Sequence, residues 1–191
     1  RNRPDPEKWT GVETEALADL PVARKLKIRQ TFFPEDNLVE KRSPAKRTPL
    51  YLGIDIGSTT TKYALINAER QILHKNYVHT QGKPIEVTQH LLEAIRDALG
   101  NRIEIRGVAT TGSGRNVVGD FLNADLIIDE ITAHARGAVE IDPEIDTIFE
   151  IGGQDSKYIS IVNTHPLDFD MNKVCAAGTG SFLHELANKH A

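Results

Sequence analysis

The chain has 191 residues, a hydrophobic fraction of 39% and a formal net charge of −4, which suits one domain, or one domain and part of another. The negative charge argues against nucleic acid as the main partner, and no run approaches the roughly 18 apolar residues that span a membrane. A single cysteine cannot form an internal disulfide, so we expect a reducing, cytoplasmic setting.

The first 48 residues are basic and rich in proline, and we expect them to form an extended linker or N-terminal extension. Residues 15–30 have the apolar spacing of a short helix, which Pro21 would interrupt. The segment KRSPAKRTP has too little apolar content to fold by itself. The sequence therefore predicts that the compact part starts near Leu50.

Three strands are predicted next. Residues 51–56 form an apolar strand, a polar turn follows, and residues 62–66 and 71–80 continue with the alternating pattern of strands. The P-loop pattern is absent from this meander, and a Rossmann turn would require a helix directly after the glycine. The turn therefore belongs to neither of these two phosphate-binding classes.

The following segment mixes the helical and the extended pattern. Helices are predicted over residues 84–100, 115–123 and 132–141, a short strand that runs into a glycine turn over residues 103–114, and an apolar strand over residues 124–131. The first helix should stop at Gly100. This order of elements is typical of an α/β lobe with a mixed sheet.

The strand–turn–strand pattern of the meander recurs at residues 149–162. When Gly57 is aligned with Gly152, IGSTTTKY faces IGGQDSKY, and the glycine, the lysine and the tyrosine match. Asp55 then aligns with Glu150, and the two copies lie 95 positions apart. A duplicated lobe explains this match more simply than chance does.

Such a turn is suited to binding phosphate. Glycine lets backbone N–H groups converge, and the hydroxyls of Ser58, Thr59 and Thr60 add further donors. Asp55 would repel a phosphate unless a cation intervened, and Mg²⁺ prefers oxygen ligands. Asp155 in the second copy could serve the same ion. For either copy alone, a polar hairpin that binds nothing stays open as the alternative.

Cys175 lies in the segment KVCAAGTGSF, ahead of a helix predicted to start near Gly180. A thiolate near a helix N-terminus is stabilised by unpaired amides and the helix dipole, and an anionic iron–sulfur cluster would gain from the same field. Ala176, Ala177 and Gly178 leave room for a bulky inorganic group. A buried structural cysteine is the alternative that the spacing leaves open.

The segments GIDIGSTTTK and EIGGQDSKYI resemble the phosphate motifs of the acetate and sugar kinase, Hsc70 and actin superfamily. FDMNKVCAAGTGSFLHELA further resembles the activators of 2-hydroxyacyl-CoA dehydratases, the related benzoyl-CoA reductase ATPase subunits and the large CoA-substrate-specific activases. TTGSGRN and DEITAHARGA fit the same resemblance. It implies an α/β, ribonuclease H-like lobe with a mixed β-sheet over residues 49–143, and the truncated beginning of a duplicated lobe over residues 144–191.

The resemblance also implies an activity. Such activators are homodimers that hold one [4Fe-4S] cluster across the two-fold axis, and each subunit supplies two cysteines, one of which would be Cys175. MgATP binding and hydrolysis would change the lobe angle, and one electron would pass to a CoA-ester dehydratase or reductase. Because a second cysteine and an adenosine-binding half are expected further along, the isolated chain should be inactive and lack the cluster.

The resemblance assigns the site residues as well. Asp55 and Asp155 would hold Mg²⁺ and take part in catalysis, and Glu130, expected at the end of a strand, would orient water. A glutamate at position 130 is equally expected at a helix N-terminus on dipole grounds alone, without a role in chemistry. The phosphate-binding positions would be Gly57, Ser58, Thr59, Thr60 and Lys62 in the first loop, and Gly152, Gly153 and Gln154 in the second. Strand alternation could equally send Lys62 to solvent, and His134 is expected to serve helix packing or to lie at the surface.

Two other functions stay open from the sequence. A small-molecule kinase of the same superfamily would use Asp155 or Glu130 as a base toward a sugar or an amine and would need no cysteine. An inactive interaction module would keep the lobe without binding MgATP. Neither nucleic acid nor a membrane is an expected partner.

Overall fold

The computed structural model describes residues 47–174 and 178–190. The helix predicted within residues 15–30 and the whole of Cys175 therefore lie outside the described residues. No helix in the described part of the chain is long and apolar enough to cross a membrane.

A mixed five-stranded sheet forms the first half of the described chain, with the strand order β3-β2-β1-β4-β5. Its strands are β1 (Thr48–Ile56), β2 (Thr60–Ile66), β3 (Ile72–His79), β4 (Ile103–Thr111) and β5 (Leu126–Ile127). β1 pairs antiparallel with β2 and parallel with β4, so the carboxyl ends of β1 and β4 meet at one edge. The predicted α/β class with a mixed sheet is confirmed.

Two helices follow within this half of the chain, α1 (Pro84–Leu99) and α2 (Arg115–Leu122). Alternate apolar residues of β1 are buried in one cluster with Leu91 and Ile95 of α1, as the period of two in the strand and the helical spacing predict. α1 ends at the predicted residue, because Gly100 adopts a positive φ of 51° and a short 3₁₀ turn (Gly100–Arg102) leads into β4. The first core is therefore set by the pattern of the sequence.

The apolar strand predicted over residues 124–131 is mostly not a strand. Only Leu126–Ile127 pairs with β4, and α3 (Glu130–Ile141) begins before the predicted residue 132. Asp129 caps this helix, because its carboxylate accepts a hydrogen bond from the backbone N–H of Thr132 at 2.9 Å. The prediction that Glu130 ends a strand is wrong, since this residue occupies the first turn of a helix.

A second sheet of three antiparallel strands follows, in the order β6-β7-β8. Its strands are β6 (Thr147–Ile151), β7 (Ser156–Val162) and β8 (His165–Met171), and β8 has no counterpart among the predictions. α3 packs on one face of this sheet, where Ala135 and Val139 contact Ile159 and Ile161. The last element, α4 (Gly180–His190), starts at the predicted residue. The two β-hairpins, β1–β2 and β6–β7, thus each carry one copy of the repeated sequence.

Candidate functional site

The turn between β1 and β2 presents backbone donors. The N–H of Gly57 donates to the carbonyl oxygen of Thr60 at 2.9 Å, which closes the turn. A Cβ on Gly57 would lie 2.9 Å from the same oxygen, so the tight turn requires glycine. Within the described part of the chain, nothing accepts a hydrogen bond from the backbone N–H of Ser58 or Thr59. These two donors are available to an anionic ligand.

The turn between β6 and β7 repeats this geometry. The N–H of Gly152 donates to the carbonyl oxygen of Asp155 at 2.8 Å, the same four-residue closure as in the first loop. The backbone N–H groups of Gly153, Gln154 and Asp155 find no acceptor among the residues that the structure describes. The repeat recognised in the sequence is therefore also a repeat of hydrogen bonding.

The two loops meet at one cleft with a volume of about 670 Å³. Gly153 packs directly against Thr59, because a Cβ on Gly153 would lie only 2.6 Å from Thr59 Oγ1. Backbone donors that converge in this way form anion-binding sites. Every predicted site residue that the structure describes lines the cleft: Asp55, Gly57, Ser58, Thr59, Thr60, Lys62, Glu130, Gly152, Gly153, Gln154 and Asp155.

A lysine and a carboxylate pair across each hairpin. Lys62 Nζ lies 2.7 Å from Asp55 Oδ2, and the two residues are direct cross-strand neighbours. Lys157 Nζ lies 2.9 Å from Glu150 Oε2 in the same relation. Lys62 lines the cleft and its side chain is 38% exposed, so its contact with a phosphate stays a prediction. The alignment of Asp55 with Glu150 thus corresponds to a shared ion pair.

Gly112, in the turn after β4, holds Asp55 from the other side. Its φ is +86°, and a Cβ would lie 2.5 Å from both Asp55 Oδ1 and the carbonyl oxygen of Ile56. No L-side chain fits this position without strain. The glycine turn TTGSG therefore fixes where the carboxylate of Asp55 lies, a role that sequence reasoning did not give it.

Lys157 also contacts α3. Its Nζ lies 3.4 Å from Glu130 Oε1, and the lysine side chain is only 4% exposed. Burial acts to lower the pKa of Lys157, but the hydrogen bond to Glu150 and the negative charges of Glu130 and Glu150 together raise that pKa. The ammonium therefore stays charged at neutral pH. It lies between the carboxylate of Glu130 on α3 and that of Glu150 on β6.

His134 lies one turn after Glu130 on α3 and lines the cleft, although packing or a surface position was predicted for it. Its Nδ1 atom is buried and has no hydrogen-bond partner within the described residues. A buried ring nitrogen without a partner is uncommon in folded proteins. His134 is therefore a polar group of the cleft, and the only signal for it in the sequence is its helical spacing from Glu130.

Two threonines that sequence reasoning missed fix the loops. Thr80 Oγ1 donates to the carbonyl oxygen of Gly57 at 2.7 Å, and Thr179 Oγ1 donates to that of Gly153 at 2.9 Å. Both threonines are buried, and each precedes a helix by a few residues. A threonine within two residues of a glycine, shortly before a helix, is the one signal that could have identified them.

The first turn of α4 is tied to the second loop. The backbone N–H of Gly180 donates to the carbonyl oxygen of Gly152 at 2.8 Å, and that of Ser181 donates to Gly153 at 3.1 Å. The sequence predicted unpaired amides at this helix start as a stabilising field for the Cys175 thiolate. These two amides are already paired, so they are not free for that purpose.

Carboxylates outnumber lysines around the cleft. Among the described lining residues, the five carboxylates are Asp55, Glu130, Glu150, Asp155 and Glu185, and the two lysines are Lys62 and Lys157. A polyphosphate bound here would therefore need an added cation. In the part of the chain that the structure describes, no group of three or more His, Cys, Asp or Glu residues forms a metal site. A cation would then take most of its ligands from phosphate and water, which is the habit of Mg²⁺.

A sequence profile of the BadF/BadG/BcrA/BcrD ATPase family matches residues 52–189, which include both loops and all but the last residue of α4. The chain belongs to this family. It is 36% identical over 137 residues to the (R)-2-hydroxyglutaryl-CoA dehydratase activating ATPase of Acidaminococcus fermentans, covering 72% of this chain and 52% of the relative. It is 38% identical over 138 residues to the 2-hydroxyisocaproyl-CoA dehydratase activator of Clostridioides difficile, covering 71% of this chain and 50% of the relative.

A solved structure of this family carries a nucleotide analogue. The activator of 2-hydroxyisocaproyl-CoA dehydratase from Clostridium difficile with bound ADPNP superimposes with a TM-score of 0.63 at 35% sequence identity. The superposition covers 73% of this chain and 51% of that one. The chain thus spans about half the length of these relatives, and its ATPase family membership fits a cleft at which two glycine loops meet.

Proposed function

We propose that this chain provides the phosphate-binding cleft of an ATP-dependent activator, which drives a single low-potential electron to a CoA-ester dehydratase or reductase. The observation that carries the proposal is the meeting of two repeated glycine loops at Thr59 and Gly153, with five backbone N–H groups that have no acceptor among the described residues. A triphosphate needs donors on more than one side, and two loops from different sheets supply them. The identity to two dehydratase activators supports the same function.

Each charged residue has a proposed role in ATP hydrolysis. Asp55 and Asp155 would hold Mg²⁺, which when bound would supply positive charge to offset that of the phosphates. Both side chains offer the hard oxygen ligands that this ion prefers. Lys62, whose side chain is 38% exposed, contacts a phosphate oxygen, and Glu130 orients the attacking water. The backbone donors of both loops stabilise the charge that develops on the phosphate oxygens.

The proposal extends to the organisation of the chain. Residues 1–48 form an N-terminal extension, residues 49–143 the first ATPase lobe, and residues 144–191 the beginning of the second. The two hairpins occupy equivalent places in these lobes, since Gly57 and Gly152 close the same turn. ATP bound between the loops would favour one relative arrangement of the lobes over another, which is how hydrolysis could be coupled to a partner protein.

Cys175 is the proposed ligand of a [4Fe-4S] cluster, which would supply the electron. A thiolate suits iron, but such a cluster takes four of them and these 191 residues contain one cysteine. A homodimer of this chain would bring two, so the full-length protein must contribute one more cysteine per subunit. We therefore expect the 191-residue chain by itself to lack both the cluster and ATP hydrolysis.

The test uses the full-length protein, reconstituted with iron and sulfide without oxygen. We expect MgATP hydrolysis, a [4Fe-4S] absorption band, and loss of that band in Cys175→Ala with MgATP binding retained. Asp55→Asn should lose Mg²⁺-dependent hydrolysis and keep the cluster. Absence of any iron–sulfur signal in the protein with Cys175 intact would overturn the electron-transfer function.

The same experiment separates the other two functions. A phosphorylated small-molecule product made by the Cys175→Ala variant would favour a kinase, because that chemistry needs no thiolate. A full-length protein that does not bind MgATP at all would be an interaction module. Removal of residues 1–46, which precede β1 (Thr48–Ile56), serves as an internal control and should leave MgATP binding unchanged.

A further inference from the structure

The two equivalent lysines of the repeat have different surroundings. Lys62 makes one ion pair, with Asp55, has a side chain that is 38% exposed, and lies 5.9 Å from the centre of the Tyr77 ring. Lys157 makes two ion pairs, with Glu130 and Glu150, and its side chain is 4% exposed. One lysine is therefore accessible to a ligand, and the other is enclosed by protein carboxylates.

The two carboxylates around Lys157 come from different elements. Glu150 is its direct cross-strand neighbour on β6, so that contact is local to the hairpin. Glu130 belongs to the first turn of α3, the helix that lies between the two sheets in the chain. A buried ammonium requires such compensation, because water does not reach it to replace a lost partner. The ion pair with Glu130 therefore links the start of α3 to the second phosphate loop.

This contact uses only one side of the Glu130 carboxylate. Its Oε1 lies 3.4 Å from Lys157 Nζ, and within the described residues its other oxygen has no hydrogen-bond or ion-pair partner. The Glu130 side chain is 29% exposed and lines the cleft. One oxygen is held by a buried cation while the other stays available to water or a ligand.

We propose that Lys157 is a positioning residue that holds the carboxylate of Glu130 at the cleft, and that it does not contact the nucleotide, whereas its repeat counterpart Lys62 does. The inference deepens the proposed function and rests on it, because Glu130 is the residue that orients water there. Of the two equivalent lysines, Lys62 therefore contacts the bound nucleotide and Lys157 contacts carboxylates of the protein.

Steady-state ATP hydrolysis by the full-length protein distinguishes the two lysines. We expect Lys157→Met to lower kcat by about tenfold or more while the KM for MgATP stays within about threefold, because the interaction acts after binding. We expect Lys62→Met to raise the KM by about tenfold, since it removes a contact with the bound substrate. Lys75→Met is the matched control, an exposed lysine on β3, and should leave both constants unchanged.

A double variant tests whether Lys157 acts through Glu130. Glu130→Gln should lower kcat as much as Lys157→Met does, and Lys157→Met/Glu130→Gln should be no slower than either single variant within about threefold. Losses that multiply in the double variant would overturn the proposal. So would a Lys157→Met variant that raises the KM and keeps kcat, because Lys157 would then contact the nucleotide.

Removing Lys157 leaves two carboxylates facing each other, and the single variant could fail to fold. Lys157→Met/Glu150→Gln takes away one of these charges and should restore the thermal transition of the wild type. We expect it to fold and still show the low kcat, because Glu130 has lost its cation. Recovery of kcat together with folding would show a purely structural role and overturn the proposal.

Amine labelling gives a readout that does not depend on hydrolysis. With an acylating reagent and mass spectrometry, Lys157 should react at least about tenfold more slowly than Lys62, and Glu130→Gln should speed its reaction. MgATP should slow the labelling of Lys62 and leave that of Lys157 unchanged. If MgATP slows the labelling of Lys157, the inference is overturned. If MgATP slows the labelling of neither lysine and Lys157 still reacts slowly, only the proposed function is overturned.

Discussion

Gly153→Ala tests whether the contact between the two loops sets their spacing. In the structure a Cβ at this position would lie 2.6 Å from Thr59 Oγ1 and 3.0 Å from Thr59 Cβ. Gly153 is not among the glycines with positive φ, so alanine brings no backbone strain of its own. The added methyl group therefore acts through its overlap with the Thr59 side chain of the first loop.

The size of the effect follows from the overlap. Relieving it requires the loops to separate by roughly 0.5 Å or more, and overpacking of this kind costs about 1–3 kcal/mol. If a bound triphosphate needs donors from both loops at their present spacing, restoring that spacing costs this free energy when MgATP binds. Since about 1.4 kcal/mol is a tenfold change, we expect the dissociation constant of MgATP to rise roughly 5- to 150-fold.

Titration calorimetry with MgATP on the full-length protein measures the change, and thermal unfolding measures stability alongside. The control is Gly137→Ala on α3, where a Cβ would meet nothing within 4 Å. It should stabilise the helix by about 0.5–1 kcal/mol and leave MgATP affinity unchanged. Unchanged affinity in Gly153→Ala, or no coupling with Thr59→Ala in a double-mutant cycle, would refute the reasoning.

Three further changes have expected outcomes. Gly112→Ala should lower the free energy of unfolding by about 1–3 kcal/mol in urea titrations and weaken Mg²⁺-dependent hydrolysis, because its Cβ would lie 2.5 Å from Asp55 Oδ1; full stability would contradict this. Hydrogen bonds from the backbone and side chain of Thr132 lower the pKa of Asp129 in the folded protein. The ionised carboxylate therefore stabilises the fold at any pH above its unfolded pKa of about 4, and this contribution is lost as the pH falls through the lower folded pKa. Asp129→Asn keeps a cap and should flatten the acid side of the stability curve; an unchanged slope would count against it. Thr179→Val should cost about 1 kcal/mol of stability in thermal unfolding and weaken MgATP binding severalfold, since it deletes the hydrogen bond to the second loop; wild-type affinity would exclude a role in positioning that loop.

Much of the site could be predicted because it depends on local pattern. A tight turn needs glycine at a fixed offset from a strand end, and both Gly57 and Gly152 stand there. The repeat in sequence then implied a repeat in hydrogen bonding. The buried residues of the first core could be predicted in the same way, because apolar residues recur with a period of two in β1 and with helical spacing in α1.

What could not be predicted depends on contacts between distant positions. The apolar run before Glu130 has the composition of a strand, but Asp129 caps a helix that starts there. The periodicity of the sequence does not show whether the strand composition or the helix cap decides the structure. β8 contains Pro166 and a register shift, so its alternation is broken. Gly112 looks like any turn glycine until the carboxylate of Asp55 is seen against it.

The repeat also shows what duplication conserves. The hydrogen bond from the N–H of Gly57 or Gly152 closes a turn of four residues, so it depends on local sequence and is present in both copies. The environment of each lysine is set by what packs beside the hairpin, and the second hairpin packs against α3 through Ile159 and Ile161. Lys157 is therefore enclosed where Lys62 stays accessible. The two turns are alike but their neighbours differ, so the cleft has one lysine that is 38% exposed and another that is enclosed by Glu130 and Glu150.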